Sequence, residues 1–300
     1  MVVLITGGNG FIGSHLCDVL TEKGEDVTLF DTRFTGNTSH LDVRKIQGDI
    51  RNAGDVKAAM KGADTVFHFA AVSRVAWGQE RPLECMDTNT LGTARVLEAI
   101  RTEAPDATLF LGSSREVYGE PISIPVSENH QKNPISLYGI SKLSAEQLVL
   151  SYRRYFGVQA VIFRFSNVYG SSRDLRERVI PKFVLRALAN EPLELNEGSQ
   201  VLDFTYIHDT IKGIALAYKK ADKIAGEDVH FATGKGTSVS ELASLVVKLC
   251  TSSSPLLVKP RKDFDVRNFV GDYAKAEKLL GWSPDTGLAA GLKKTIDAFS

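Results

Sequence analysis

Six short apolar runs alternate with helical stretches in the first half of the chain, and this alternation limits the fold more than any other feature. The runs are almost continuously apolar, as expected for strands that are buried on both faces of a sheet. They cover residues 2–6, 26–30, 43–47, 64–71, 107–112 and 158–165. Helices are predicted between them at residues 11–24, 54–61, 83–103 and 137–156. Strands that alternate with helices predict an α/β fold with a doubly wound parallel sheet.

The chain after Asn167 has a looser pattern, in which helices dominate. Helices are predicted at residues 176–191, 208–222, 239–250 and 272–282. Because this part contains no repeat and no long linker, we expect a smaller C-terminal lobe that is interleaved in sequence with the sheet domain. The expected division assigns residues 1–167 and a returning segment around 203–226 to the sheet domain, and 168–202 and 227–300 to the smaller lobe.

Charge and cysteine content exclude several classes of function. Lys plus Arg and Asp plus Glu number 36 each, so no net charge recruits nucleic acid or an anionic membrane. Cys17, Cys85 and Cys250 lack the spacing of disulfide frameworks or zinc sites, which favours a reducing cytosol. No segment approaches the roughly 18 apolar residues of a membrane span. We therefore expect a soluble, cytoplasmic protein without a metal, a membrane or a nucleic-acid partner.

The stretch TGGNGFIG follows the first predicted strand and opens the first predicted helix. Its Gly7, Gly10 and Gly13 permit a tight turn, a close approach of the backbone to a pyrophosphate, and close packing of helix on strand. Free N–H groups and the dipole at the start of the helix favour an anion. A glycine-rich turn alone is weak evidence, but a strand before it and a helix after it are the context that a dinucleotide site requires.

Asp31 ends the second predicted strand, about twenty residues beyond the glycines. A carboxylate at this place binds a ribose diol and repels a 2′-phosphate, which favours NAD over NADP. Arg33, two residues further on, could bind that phosphate and keeps the alternative open. Asp49 and Ile50 follow the third strand and would suit the adenine edge, although a lone Asp is also common in turns.

The stretch LYGISK places Tyr138 and Lys142 four residues apart on a predicted helix, hence on one face. Such a pair also fits an amphipathic surface helix, so the spacing alone is weak evidence. A free phenol with a pKa near 10 is only ~0.1% ionised at pH 7, so a tyrosine that takes up a proton needs neighbours that favour its phenolate. A nearby ammonium and an oxidised nicotinamide would both favour the phenolate.

The stretch SSREVYGE follows the apolar run ATLFLG and admits two interpretations. In the first, Ser113, Ser114, Arg115 and Glu116 are an ordinary exit of a strand into water. In the second, Ser114 and Glu116 belong to a catalytic loop that faces a bound substrate. The residues of the stretch do not decide between the two.

Motifs along nearly the whole chain resemble those of the extended short-chain dehydrogenase/reductase family, in its branch of NAD-dependent nucleotide-sugar epimerases and dehydratases, the UDP-glucose 4-epimerase-like proteins. The matching stretches are TGGNGFIGSH, GDI, FHFAA, NTLGT, SSREVYGE, YGISK, RFSNVYG, DFTYIHD and LLGWSP. The resemblance implies a Rossmann-type sheet domain that binds NAD and a smaller lobe that binds the substrate. It also implies a homodimer formed through the helices around 83–103 and 137–156.

The resemblance further implies a role for each matching position. Tyr138 is the proton acceptor, Lys142 binds the nicotinamide ribose and tunes Tyr138, and Ser114 hydrogen-bonds the 4-hydroxyl of the sugar. Asn167 would contact the diphosphate of the substrate. The implied cofactor-binding set is Gly7, Gly10, Phe11, Ile12, Gly13, Asp31, Arg33, Asp49, Ile50, Phe69, Ala70, Ala71, Asn89, Tyr138 and Lys142.

The sequence departs from the family pattern at two places. Members of the family often carry an Arg before the DF of DFTYIHD, to hold the nucleotide diphosphate, where this chain has Leu202. Arg261, Lys262 or Arg267 could supply that charge. In the dehydratases the catalytic loop resembles T-D-E, with Asp as acid and Glu as base. Here Glu116 keeps the base, but the guanidinium of Arg115 stays charged and cannot give a proton.

The predicted reaction follows from these residues. Tyr138 would take the proton of the 4-hydroxyl while hydride leaves C4 for NAD⁺, and a 4-epimerase then returns hydride to the other face. We therefore predict a nucleotide-sugar 4-epimerase, an isomerase that acts on a UDP-hexose. The first alternative is a 4,6-dehydratase or a decarboxylase of a glucuronate-type sugar, in which Arg115 would bind a carboxylate. An NADP-linked carbonyl reductase and a non-catalytic nucleotide sensor fit the motifs less well.

Overall fold

The computed structural model describes residues 1–260 and 263–300, and the described chain forms two compact units. The first unit contains Met1–Gly119, Lys132–Arg164 and Ile214–Val229. The second contains Glu120–Gln131, Phe165–Gly213 and His230–Ser300. No helix in the described chain combines the length and the apolar character that a membrane crossing needs.

Strands β2 and β5 extend beyond the predicted apolar runs, to Asp31 and Ser114, and helix α6 has the predicted bounds. The strands are β1 Val2–Thr6, β2 Asp26–Asp31, β3 Arg44–Gln47, β4 Thr65–His68, β5 Thr108–Ser114, β6 Gln159–Phe165, β7 Asn167–Tyr169, β8 Leu193–Asn196, β9 Val201–Tyr206, β10 Asp228–Phe231, β11 Gly236–Ser238, β12 Leu256–Lys259 and β13 Asn268–Phe269. The helices are α1 Phe11–Glu22, α2 Ala53–Met60, α3 Val75–Glu80, α4 Pro82–Met86, α5 Gly92–Glu103, α6 Leu137–Phe156, α7 Val179–Leu188, α8 Ile207–Lys219, α9 Ala221–Ile224, α10 Val239–Leu249, α11 Ala274–Leu280 and α12 Leu288–Phe299.

A seven-stranded sheet in the order β10-β6-β5-β4-β1-β2-β3 confirms the predicted doubly wound α/β fold. The pairs of β1 with β2 and β4, of β2 with β3, and of β4 with β5 are parallel. Side chains from both faces of these strands form the core, including stacked Phe67 and Phe110 rings with centroids 4.8 Å apart. The strand order reverses between β1 and β4, and ligands of such sheets bind at this point, beyond the carboxyl ends of the strands.

One predicted strand of the first half is too long, since the strand predicted at 64–71 ends at His68 and a loop follows it. The helix predicted at 83–103 is present as α4, a π-helical turn, Asp87–Leu91, and α5, and the junction residues Met86 and Gly92 keep helical backbone angles. Such turns occur often at functional sites, and this one contains Asn89.

After Asn167 the four predicted helices are present as α7, α8, α10 and α11, with shorter bounds, and the residues of α8 from Ile214 onward belong to the first unit. Helix α12 and the short strands were missed. β9 pairs with β11, β13 and β7, and β12 pairs with β8. These strands are two to six residues long. Their partners are distant in sequence, as in the pair of Gly236 with Asp203, so local periodicity did not reveal them.

Candidate active site

The glycine turn lies at the carboxyl end of β1 and contacts the chain that leaves β4. Gly7 has a φ of +68°, and a Cβ atom there would lie 2.6 Å from the backbone nitrogen of Ala70. A Cβ atom on Gly13 would collide with the carbonyl oxygen of Gly7. No side chain of the described residues caps helix α1 at Gly10, so its first N–H groups stay available. The turn is therefore a cradle of backbone donors that only glycine can form, which fits a diphosphate.

Asp31 ends β2 beside this turn, as the sequence predicted. Its Oδ2 accepts a hydrogen bond from the backbone N–H of Asn9, within the glycine turn, at 3.0 Å. Burial raises the pKa of Asp31 above its ordinary value, although the N–H donors around it oppose this effect. Arg33, two residues on, is exposed. The structure thus brings one carboxylate to the edge of the cradle, where a ribose diol would lie.

We expect the purified protein to bind NADH more tightly than NADPH, because the Asp31 carboxylate would repel a 2′-phosphate. Fluorescence titration with both cofactors measures this preference, and Asp31→Ala should reduce it. Equal or tighter NADPH binding by the unmodified protein would show that Arg33 governs the site instead.

The other residues predicted for the adenine side are held by neighbours. The Asp49 carboxylate accepts three hydrogen bonds from the guanidinium of Arg51 and one from its backbone N–H, and these bonds lower the pKa of Asp49. Ile50 is 4% exposed and belongs to the hydrophobic core, where it packs against Gly92 of α5. The backbone of Asp49 and Ile50, rather than the Ile50 side chain, is therefore the part that a base could contact.

The loop after β4 is fixed by a buried amide. Phe69 and Ala70, the first residues of this loop, lie next to Thr6 of β1: the Phe69 N–H donates to the Thr6 carbonyl at 3.0 Å and the Ala70 N–H to the Thr6 Oγ1 at 3.3 Å. Asn89 is 2% exposed. Its Oδ1 accepts the N–H of Val72 at 2.8 Å, and its Nδ2 donates to the Val72 carbonyl oxygen at 3.1 Å. The same Nδ2 donates to Ser141 Oγ at 2.9 Å. Asn89 thus acts as a brace between this loop and helix α6. The role that remains for it in cofactor binding is to shape the loop of Ala70 and Ala71.

Tyr138 and Lys142 lie on helix α6 of the first unit. Its start is capped by Ser136, whose Oγ accepts the N–H of Gly139, and it ends at the left-handed Gly157. Tyr138 is 9% exposed and packs on Val72 and Cys85. The pair therefore does not belong to an exposed amphipathic surface, which was the alternative interpretation.

Lys142 lies one turn further along α6 and is 7% exposed. Its Nζ donates to the carbonyl oxygen of Gly112 in β5 at 2.8 Å. Burial lowers the pKa of Lys142 to about 8. The register of β4 with β5 pairs His68 with Leu111, so Gly112 lies next to Phe69, close to the glycine turn. The ammonium group is thus held at the carboxyl ends of the strands, near the nicotinamide end of the predicted cofactor.

The serine loop, residues 114–117, is not an exposed strand exit. Ser114 is the last residue of β5, and its Oγ accepts the N–H of Glu116 at 3.2 Å, which caps the short 3₁₀ turn Arg115–Tyr118. Arg115 and Glu116 form an ion pair of 2.8 Å, with side-chain exposures of 11% and 7%. Gly139 of α6 packs against the carbonyl of Glu116. Burial of all three polar side chains favours the second interpretation, a loop that faces a site.

The residues predicted to bind the substrate diphosphate lie in the second unit. Asn167 donates from Nδ2 to the carbonyl oxygen of Asp203 at 2.9 Å. Leu202 is half-buried and pairs with Phe269 of β13, so Arg267, which is exposed, lies two residues from the partner of the position where the family pattern predicts Arg. Arg261 and Lys262 lie outside the described residues.

Three buried charged residues that the sequence reasoning missed make ion pairs or hydrogen bonds within one unit or the other. Glu146 and Arg164 form a buried ion pair of 2.8 Å in the first unit. The carboxylate of Asp203, 0% exposed, accepts N–H bonds from Thr233 and Gly234 in the second unit. Glu146 follows Lys142 by four residues, so helical spacing was an available signal.

Three comparisons with known proteins show the family to which the chain belongs. The model of the NAD dependent epimerase/dehydratase family matches residues 3–232. A putative UDP-glucose 4-epimerase from Methanocaldococcus jannaschii is 37% identical over 303 residues, covering 99% of this chain and 97% of that protein. UDP-glucuronic acid decarboxylase 1 from Danio rerio is 32% identical over 307 residues, covering 99% of this chain and 72% of that protein. The crystal structure of a Bacillus cereus UDP-glucuronic acid 4-epimerase, with UDP-glucuronic acid and NAD, is 30% identical, covers 99% of this chain and 98% of that one, and has a TM-score of 0.94.

Proposed function

Because the chain belongs to the NAD-dependent epimerase/dehydratase family, we propose that it is a nucleotide-sugar 4-epimerase that acts on a UDP-hexose. The observation that carries this proposal is the buried Tyr138–Lys142 pair, with Lys142 bonded to Gly112 at the carboxyl end of β5. The glycine cradle and the Asp31 carboxylate fit NAD. The UDP-sugar named for each of the compared relatives supports the choice of substrate class.

In the proposed mechanism, each residue of the first unit has one task. When bound, NAD⁺ supplies a hydride acceptor for C4 of the sugar. Tyr138 takes the proton of the 4-hydroxyl, and the ammonium of Lys142 favours its phenolate form. Ser114 donates a hydrogen bond to the sugar 4-oxygen, where negative charge gathers as the proton leaves. A 4-keto sugar results, and turning it over before hydride returns gives the epimer.

The Arg115–Glu116 pair favours epimerisation over dehydration. A 4,6-dehydratase needs an acid for the departing 6-hydroxyl, and the guanidinium of Arg115 cannot supply a proton. Glu116 is ion-paired at 2.8 Å, so its carboxylate is occupied by a charge partner rather than placed as a lone base. A decarboxylase of a uronate sugar stays the second candidate, because Arg115 could bind a carboxylate and the Danio rerio relative bears that name.

Substitutions in the serine loop should separate these reactions. For an epimerase, Ser114→Ala should cost about 1.5–3 kcal/mol in kcat/KM, the scale of a hydrogen bond to a group that gains charge. Glu116→Gln should cost less than about tenfold, because no proton moves at C5. Products of UDP-, GDP- and dTDP-sugars are identified by NMR in D₂O. Deuterium at C5, together with a loss of ~10²–10⁴-fold in Glu116→Gln, would instead establish a dehydratase.

A homodimer is the second part of the proposal. Large apolar side chains are exposed on the helical segments that resemble the family's dimer-forming pair: Leu83 at 85%, Leu91 at 52%, Ile140 at 40% and Leu150 at 42%. Burying them between two copies would remove apolar area from water. Sedimentation equilibrium should therefore give twice the chain mass, and Leu83→Glu with Leu150→Glu should shift the protein to a monomer. A monomeric unmodified protein would refute this.

Two further assignments stay predictions. The first unit contains the residues assigned to the cofactor, and the second contains Asn167 and Arg267, assigned to the substrate diphosphate. A cytoplasmic location agrees with the three cysteines, Cys17, Cys85 and Cys250, which form no disulfide within the described residues. Cell fractionation would test the location.

A further inference from the structure

A buried network of charges and hydrogen bonds joins helix α6 to the serine loop. At its centre is Glu146, which lies four residues after Lys142 on the same helical face and has a side-chain exposure of 1%. Its Oε1 accepts the Ser113 hydroxyl at 2.6 Å. Both carboxylate oxygens accept from the guanidinium of Arg164, at 2.9 and 2.8 Å. This forked pairing fixes orientation as well as charge.

Arg164, on β6, extends the network to the other end of the loop. Its Nη1 donates to the hydroxyl of Tyr118 at 2.8 Å, and its Nη2 forms an ion pair with Asp228 at 2.7 Å. Tyr118 is 0% exposed and ends the 3₁₀ turn that begins after Ser114. Ser113 and Tyr118 therefore flank the serine loop, and both are fixed by the same buried cluster.

Stabilisation of the fold does not by itself explain why the Glu146–Arg164 ion pair is buried here. Buried ion pairs are weak evidence for stability, because desolvation of both charges opposes their attraction. The geometry offers a different reason. Lys142 ties α6 to Gly112, and Glu146 adds a second tie to the next residue of β5. Tyr138 is on α6 and Ser114 is on β5, so their separation depends on how the helix rests on the strand.

We propose that Glu146 and Arg164 are positioning residues, which hold Tyr138 and Lys142 of α6 in register with Ser114 for proton transfer. This inference rests on the proposed epimerase activity for its turnover measurement alone. The residues act through the three groups that would touch the substrate or cofactor, and they do not themselves contact the reacting atoms.

The charges around Lys142 support this role. Burial lowers the pKa of Lys142, whereas Glu146 on its own helix and Cys85 of α4 act in the opposite direction. The Cys85 thiol has a raised pKa because of burial, and burial holds the pKa of His68 in β4 at about 3, so both are neutral at pH 7. The Arg115–Glu116 pair of the turn packed on α6 joins opposite charges. Glu146 is thus the carboxylate that favours the ammonium form.

The test compares Glu146→Gln and Ser113→Ala with the unmodified protein, all loaded with NAD⁺. Ultraviolet difference absorbance against the same protein carrying Tyr138→Phe reports the phenolate of Tyr138 as pH rises. In Glu146→Gln the Lys142 ammonium loses the carboxylate that favours it, so less of it is present to favour the Tyr138 phenolate. The midpoint of the Tyr138 titration should therefore move to higher pH by about half a unit or more. kcat should fall by about tenfold or more, with KM and NAD affinity within about threefold.

Ser113→Ala removes one hydrogen bond and leaves the ion pair intact, so it should fold even if Glu146→Gln does not. Because this bond ties α6 to β5 one residue beyond Gly112, its loss should loosen the placement of Lys142 beside Tyr138. We expect the same direction of change, with a loss of about threefold in kcat. Glu194→Gln is the control, because Glu194 is a more exposed carboxylate that also has cationic partners, Lys182 and Lys259, at 3.8 Å each. Its phenolate midpoint and kcat should stay unchanged.

A folded Ser113→Ala protein with an unchanged midpoint would overturn the proposal, even if its melting temperature fell, since that pattern indicates a purely structural role. If the unmodified protein converts no nucleotide sugar, the proposed function fails, but the phenolate titration still decides whether these residues position Tyr138.

Discussion

Tyr138→Phe is expected to abolish turnover, with a loss of kcat of at least about 10²-fold, while the affinity for NAD stays within about threefold. The phenolate is needed to remove the proton of the sugar hydroxyl, and phenylalanine keeps the ring but has no oxygen. Most of the residues assigned to cofactor binding lie elsewhere, in the glycine turn and at Asp31. Steady-state kinetics on the best substrate and a titration with NADH measure the two quantities.

Tyr155→Phe is the matched control, because Tyr155 lies on the same helix and is 68% exposed. It should retain full activity. A Tyr138→Phe protein that keeps a tenth of the kcat of the unmodified protein would exclude Tyr138 as the proton acceptor. A loss of NAD affinity equal to the loss of kcat would instead show that the ring is needed to shape the cofactor site.

The parallel sheet could be predicted because its strands are buried on both faces. Val3, Leu4 and Ile5 of β1 are at most 1% exposed, so the run is apolar without interruption and the pattern is strong. The glycine turn was equally predictable, since Gly7 requires a positive φ and Gly13 a close approach that other residues do not allow. Both features are local properties of the sequence.

The second unit was less predictable for physical reasons. Strand β12 is exposed along its length, and β7 has three residues that pair with the distant β9. Neither has a local period. Helix α12, in contrast, places Leu288, Leu292 and Ile296 at helical spacing, so its signal was present and was overlooked.

Motifs were enough to predict the catalytic side chains, but not the residues that hold those side chains in place. Nothing local to Glu146 shows that it meets Arg164, because that contact depends on how α6 packs on β6. The same holds for Asn89, whose place in the cofactor-binding set stays a prediction, while its contacts with Val72 and Ser141 were not predictable from the motif. Motifs identify residues that act on ligands, whereas tertiary packing identifies the residues that hold them.

Lys142→Met should reduce kcat by about 10²-fold or more, because the ammonium that favours the Tyr138 phenolate is lost. In the unmodified protein, kcat should also fall as pH rises above about 8, the pKa of Lys142 in the fold. A pH profile of the substitution should lack this alkaline loss in whatever activity remains. Lys57→Met, an exposed lysine on α2, is the control and should behave as the unmodified protein.

The same substitution should leave the free energy of unfolding unchanged, or raise it by up to about 2 kcal/mol. At pH 7 Lys142 is protonated in both states, and lowering its pKa from 10.5 to about 8 costs the fold roughly 3 kcal/mol, from which the lost bond to Gly112 subtracts about 1–2 kcal/mol. Between pH 8 and 10.5 the folded chain releases this proton first, so the unmodified protein should gain stability with rising pH while Lys142→Met lacks that gain. Urea unfolding of the cofactor-free protein at pH 7 and 9.5 measures both effects. A loss of more than about 1 kcal/mol at pH 7 would mean that the buried ammonium stabilises the fold, and that its place is not explained by catalysis.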